Sequence, residues 1–204
     1  MTDEPRLPAL HPDDLTDEQR EVYDAIVGGP RPGHVFSFTD DEGRMLGPFN
    51  AMLYSPAVGD PLQDLGAALR FRTSFTKRER EIATLVVAAH VRSDYEWYAH
   101  ERIGRRAGLT GAELASLREG NDPVLADARE RIIHATARAL AAEGDLTGPL
   151  FAEATATLGR PAVVELVTLV GYYSALALQM RVFRVGVPEG ETPPSWEPRK
   201  DTTD

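Results

Sequence analysis

Two carboxylates and an imidazole stand where the surrounding pattern calls for apolar side chains. Within residues 76–109, Glu96 and His100 are one helical turn apart and in line with Ile103, Gly104 and Ala107. Glu81 precedes them, in line with Leu85 and Ala88. Ionisable groups on a face that otherwise reads as core are costly unless paired. The types are those of general acid–base chemistry: an imidazole that exchanges a proton near neutral pH, and carboxylates that orient it or carry a proton themselves. Arg70 and Arg72, just upstream, offer forked cations suited to a carboxylate substrate. The same residues also suit a structural hydrogen-bonded cluster, with the arginines capping carbonyls or pairing with Asp64 or Glu79.

The elements that must position these groups can be read from their caps. Thr76 and Glu79 form a capping box, so a helix is expected from Lys77, with Ile82, Leu85, Val86 and Ala89 giving it a broad apolar face. Arg92-Ser93-Asp94 breaks that helix. A second is expected from about Tyr95 to Ala107, stopped by Gly108. So short a connection favours an antiparallel pair. Upstream, Thr16 and Gln19 open a helix that runs to Gly28-Gly29. Gly47-Pro48-Phe49-Asn50 leads into a short helix at 51–54, and Pro56 opens another carrying Leu62, Leu65, Leu69 and Phe71 inward. Val35-Phe36-Ser37-Phe38 is the only strand-like patch. Downstream, Thr110 and Glu113 box a helix that ends at Gly120. Asn121-Asp122-Pro123 suggests the start of one reaching about Ala142, with His134 in a structural place. A further helix spans 148–158, and the last runs from Pro161 to Arg184. That last helix is apolar nearly all round, which implies burial within the subunit and against a partner.

The segment 76–109, extended back to Gly47 and more weakly forward through 165–184, resembles the carboxymuconolactone decarboxylase family, which includes the alkylhydroperoxidase D-like proteins. The resemblance implies an all-α, alkylhydroperoxidase D-like fold of about eight helices built on a central antiparallel pair, assembled as a homo-oligomer (trimer, hexamer or dimer). Peroxidatic members carry Cys-x-x-Cys-x-x-x-His. Counting back from His100, the cysteine positions fall on Ser93 and Glu96 and the family's acidic position on Glu81. The chain has no cysteine at all, so thiol-based peroxide reduction is excluded. What remains resembles the lactone decarboxylases, which need neither thiol nor cofactor.

That resemblance implies a cofactor-free decarboxylase acting on a small carboxylated lactone or β-keto acid through an enolate. His100 is then the general acid, Glu96 its orienting carboxylate and Glu81 a second proton carrier or binding group. Arg72, Arg70, Ser93, Trp97, Asn50 and Tyr172 are the candidate substrate-binding residues. Isomerisation, dehydration or retro-aldol cleavage would use the same groups, and a non-enzymatic oligomeric scaffold stands as a third alternative.

Composition bounds the rest. The 204 residues suit one domain at 15–186, preceded by an extended arm at 1–14 and followed by a Pro-rich tail at 187–204. The net charge of −10 argues against nucleic acid, and the Arg102, Arg105, Arg106 cluster is offset by Glu101 and Glu113. No apolar run suggests a membrane span, and the acidic, Pro-broken N-terminus is unlike a targeting peptide, so a cytoplasmic protein is expected.

Overall fold

The computed structural model describes residues 4–29 and 37–196. Among these, every regular element is helical: a single 3-10 turn at Pro12–Asp14 in the N-terminal arm, then α1 (Asp17–Val27), α2 (Phe49–Tyr54), α3 (Pro56–Phe71), α4 (Lys77–Val91), α5 (Asp94–Arg106), α6 (Gly111–Arg118), α7 (Ala128–Glu143), α8 (Gly148–Leu158) and α9 (Arg160–Phe183). One isolated antiparallel bridge joins Thr39 to Met45. The expected strand patch falls partly on Val35 and Phe36, which lie outside the described residues.

Local chemistry sets the helix starts. The Thr16, Thr76 and Thr110 hydroxyls each accept from the backbone N–H three residues on. In each case the Gln or Glu there reaches back to the cap's own N–H, completing the box. α4 is the axis of the molecule, with residues 79–88 all buried, and it packs against α5, α6, α7 and α9. Its end is abrupt. Arg92 takes a left-handed conformation (φ 54°), its N–H returning to Ala88 and Ala89. Asp94 then starts α5, which lies back along α4. This reversal brings Glu81 on one helix level with His100 on the other.

Three details differ from the sequence-based expectation. α7 begins at Ala128, not after Asn121-Asp122-Pro123. Asp127 is its true cap, accepting from the backbone N–H of Arg129 and Glu130. Asp122 instead bonds Arg138, and Asn121 donates to Glu119. Along α3, Leu69 is buried, but Leu65 and Phe71 are exposed rather than inward. Finally, α9 is long and apolar enough, by length and composition, to cross a membrane. Half of its most apolar window is buried inside the protein, as in a core helix.

Both ends of the described chain fold back onto the helices. The Asn50 side chain accepts from the Leu10 N–H and donates to the Pro8 carbonyl, which also accepts from the Tyr54 hydroxyl. At the other end, the Trp196 indole N–H donates to Asp94 at 2.6 Å, and its ring sits edge-on to Trp97.

Candidate functional site

The antiparallel α4–α5 pair places a buried Glu–His dyad at its centre. His100 Nδ1 lies 2.6 Å from Glu81 Oε2, and Glu81 is 1% exposed. With the Glu81 oxygen as acceptor, Nδ1 is the donor in this contact and Nε2 is the ring's outward nitrogen. Nε2 has no hydrogen-bond partner among the described residues. Beside the dyad, Arg80 Nε stands 3.9 Å from Glu81 Oε1 and is itself buried without a hydrogen bond. Burial pulls the Arg80 guanidinium below its ordinary range, and the Glu81 charge opposes that pull.

His100 opens onto a cavity of about 60 Å³ between α3, α5 and α9. Its polar lining is Arg70, Glu96, His100 and the tyrosines 95, 172 and 173, and Phe38, Phe49, Leu176 and Met180 supply apolar walls. Glu96 is 3% exposed, and neither carboxylate oxygen has a hydrogen-bond partner of good geometry. Burial holds its carboxyl well above the usual carboxylate range, and Ser93, one turn back, opposes that only in part. Arg70 has no carboxylate partner among the described residues, and its guanidinium lies 5.9 Å from the Phe71 ring. Tyr173 meets the His100 ring edge-on, centroids 5.0 Å apart, and Tyr172 meets Tyr173 at 5.3 Å. Burial, then the Glu81 charge, pushes the Tyr173 hydroxyl upward in pKa, so it remains a neutral donor. Gly66 makes room on α3: a Cβ there would sit 2.2 Å from the Tyr172 hydroxyl.

The carboxylates exchange the places that spacing assigned them. Glu96 shares a helix line with His100, but the imidazole turns across the helix interface to Glu81 and leaves Glu96 facing the cavity alone. Arg70 and Tyr172 line the same cavity. Arg72 does not: it is exposed at the C-cap of α3. Ser93 is the buried N-cap residue of α5, outside the lining. Trp97 is buried away from the cavity, its indole N–H donating to Glu101. Asn50 fastens the N-terminal arm. Sequence reasoning passed over Arg80 and Tyr95, and of the pair Tyr172-Tyr173 it chose only the first as a binding residue. The cue for Arg80 was a cation adjacent to a core-facing Glu81. For the adjacent pair Tyr172-Tyr173, one helical residue-step decides which ring meets His100, and composition does not carry that.

These 60 Å³ contain a proton acceptor or donor at Nε2, a carboxyl that burial favours in its protonated form, and a cation. That set can bind a carboxylate and move protons at adjacent atoms. Among the described residues no group of three or more His, Asp or Glu is arranged to hold a metal.

Residues 56–142, from α3 through most of α7, match the model of the carboxymuconolactone decarboxylase family. No curated protein matches the chain. Three solved structures share its fold. One is the alkylhydroperoxidase AhpD core of a peroxidase-related protein from Ralstonia eutropha JMP134, with TM-score 0.71 and 14% identity over 91% of this chain and 93% of that one. A second is a peroxidase-related protein from Silicibacter sp. TM1040, with TM-score 0.68 and 14% identity over 94% and 92%. The third is a Cys-to-Ala variant of the debrominase Bmp8 in complex with 2,3,4-tribromopyrrole, with TM-score 0.68 and 11% identity over 91% and 95%. At such identities the likeness is one of fold. Residues 56–142 thus belong to the carboxymuconolactone decarboxylase family, in a chain without a cysteine.

Proposed function

We propose that this protein is a cofactor-free carbon–carbon lyase that decarboxylates a small β-keto or conjugated acid through an enolate. The observation that carries this reading is the convergence of Arg70, Glu96 and His100 on one cavity. Loss of CO2 breaks the bond to the carboxyl carbon and leaves its electron pair on the substrate, where a conjugated carbonyl takes it up as an enolate. Arg70 binds and orients the carboxylate with its forked donors. A cation on the departing group stabilises the ground state as well, so rate enhancement has to come from the other end of the substrate. There the protonated Glu96 donates a hydrogen bond to the oxygen on which charge develops. Protonated His100, with Glu81 as its counter-charge, delivers a proton from Nε2 to carbon, and water restores it.

Isomerisation or retro-aldol cleavage would draw on the same three groups. A passive scaffold has no use for an unpartnered buried carboxyl at a cavity wall, which favours catalysis. The test is CO2 release from a panel of β-keto acids and carboxylated lactones. Wild-type turnover is expected to fall by about 10²-fold or more in both His100→Ala and Glu96→Ala, with the fold intact by circular dichroism. Turnover that survives His100→Ala would overturn the proton-donor assignment. If no panel member releases CO2, the decarboxylase reading fails.

A further inference from the structure

The cavity at His100 is too small for most enolisable acids. Its volume of about 60 Å³ holds roughly five water-sized groups, at about 10–15 Å³ each. A carboxylate and the atoms beside it fill that space. The rest of a larger substrate must leave the cavity somewhere, and Tyr95 marks where.

Tyr95 lines this inner cavity and also an outer one of about 430 Å³. The outer chamber is walled by the N-terminal arm at 7–9, the turn at 45–47 and the chain after α9 at 185–188. The Tyr95 side chain stands between the two. It is 4% exposed, and its hydroxyl has no hydrogen-bond partner. Gly47, at φ 62°, is what lets the ring lie there: a Cβ at that position would sit 2.2 Å from the ring edge. A buried hydroxyl without a partner is a costly thing to keep in a core, and it is accounted for if a ligand passing the ring supplies that partner.

The two chambers differ in character. The inner one carries Arg70. The outer lining is mostly aliphatic and proline carbon, has no cation among its residues, and has Glu4 and Glu189 as its charged members. Asn50, its one amide side chain, is already engaged by the arm.

We propose that the two cavities form a single site for a monocarboxylic acid bearing an apolar arm. The acid head lies among Arg70, Glu96 and His100. The arm passes Tyr95, whose hydroxyl bonds a polar atom at the junction, and ends in the outer chamber. A second carboxylate at the far end would meet Glu4 and Glu189, so diacids are selected against. This inference rests on the reading of the inner cavity as the reaction site.

Binding by unreactive ligands tests it without requiring turnover. Isothermal calorimetry with straight-chain saturated acids from butanoate to decanoate should show affinity rising by up to about fourfold per methylene once the inner cavity is full. Matched α,ω-diacids should bind about tenfold more weakly or worse. Ala9→Trp, which places an indole on the wall of the outer chamber, should cut the gain from butanoate to decanoate, and Arg70→Met should weaken the whole series. A flat wild-type series, or diacids that bind as well as monoacids, overturns the two-chamber site. If butanoate binding still needs Arg70 in that case, the inner-cavity reading stands. Failure of every acid to bind overturns both. A rising series in a protein that releases no CO2 removes the decarboxylation and keeps the site.

Discussion

The first turn of α5 carries Glu96 into apolar surroundings, and that placement has a thermodynamic signature. Burial raises its folded-state pKa well above the ordinary 4.5. Between the two values the folded state holds a proton that the unfolded chain has released, so stability falls as pH rises through that window and levels off above it. Glu96→Gln removes the titration and leaves a neutral group of the same shape. Thermal melts of the two proteins should therefore converge near pH 4.5 and separate as pH rises, the variant being the more stable at neutral pH. A wild type that melts at the same temperature across that range would mean that Glu96 is solvated and ionised. The candidate residues Glu96 and His100 could be picked out in the sequence, because an i, i+4 Glu–His pair on an apolar line is visible without coordinates. Their pairing was not. Which carboxylate His100 takes depends on the crossing of α4 and α5, and local spacing is silent on that. Arg72 failed for a similar reason: it stands two residues from Arg70, on another side of α3, beyond the cavity.

At the scale of elements, capping chemistry predicted boundaries wherever a Thr with Glu or Gln three residues on could close a reciprocal pair. It misled at α7. Asn121-Asp122-Pro123 has the composition of a helix start, yet the helix waits for Asp127, whose carboxylate meets two free N–H groups. Two substitutions separate the candidates. Asp127→Ala should cost about 1 kcal/mol in urea unfolding, the usual worth of an N-cap. Asn121→Ala, which loses only an exposed bond to Glu119, should stay within about 0.5 kcal/mol of wild type. Equal costs would mean that the 121–127 segment caps α7 after all. Helix order was otherwise readable, because the α4–α5 reversal, the end of α7 at the left-handed Gly144 and the α9 start each follow from one or two residues. The inward face of α3 was not: Leu65 and Phe71 belong to an apolar pattern, but they lie on its outer side.

At the scale of the whole molecule, α9 leaves an apolar row uncovered among the described residues. Along α9, Val164, Val167, Leu178 and Val182 are exposed, with Val164 at 66% and Leu178 at 61%, and Gly171 and Ala175 are exposed between them. With Thr168, positions 164, 168, 171, 175, 178 and 182 form a row with the 3–4 spacing of one helix face. The row reads the same from either end about residue 173. Two copies laid antiparallel would set Gly171 against Ala175 at the close centre and Val164 against Val182 at the ends, as a two-fold interface requires. An exposed apolar row is the kind of surface on which proteins associate, and this register is one that a second copy would match. The prediction is a dimer or a multiple of one by light scattering, converted to monomer by Leu178→Glu with helicity unchanged. The absence of native cysteine makes the register directly readable. Mixed Val164→Cys and Val182→Cys proteins should cross-link to each other, and neither should cross-link to itself. Self-linking of Val164→Cys would require a parallel pair. A wild type that remains monomeric but pellets with lipid vesicles would assign the row to a membrane surface instead.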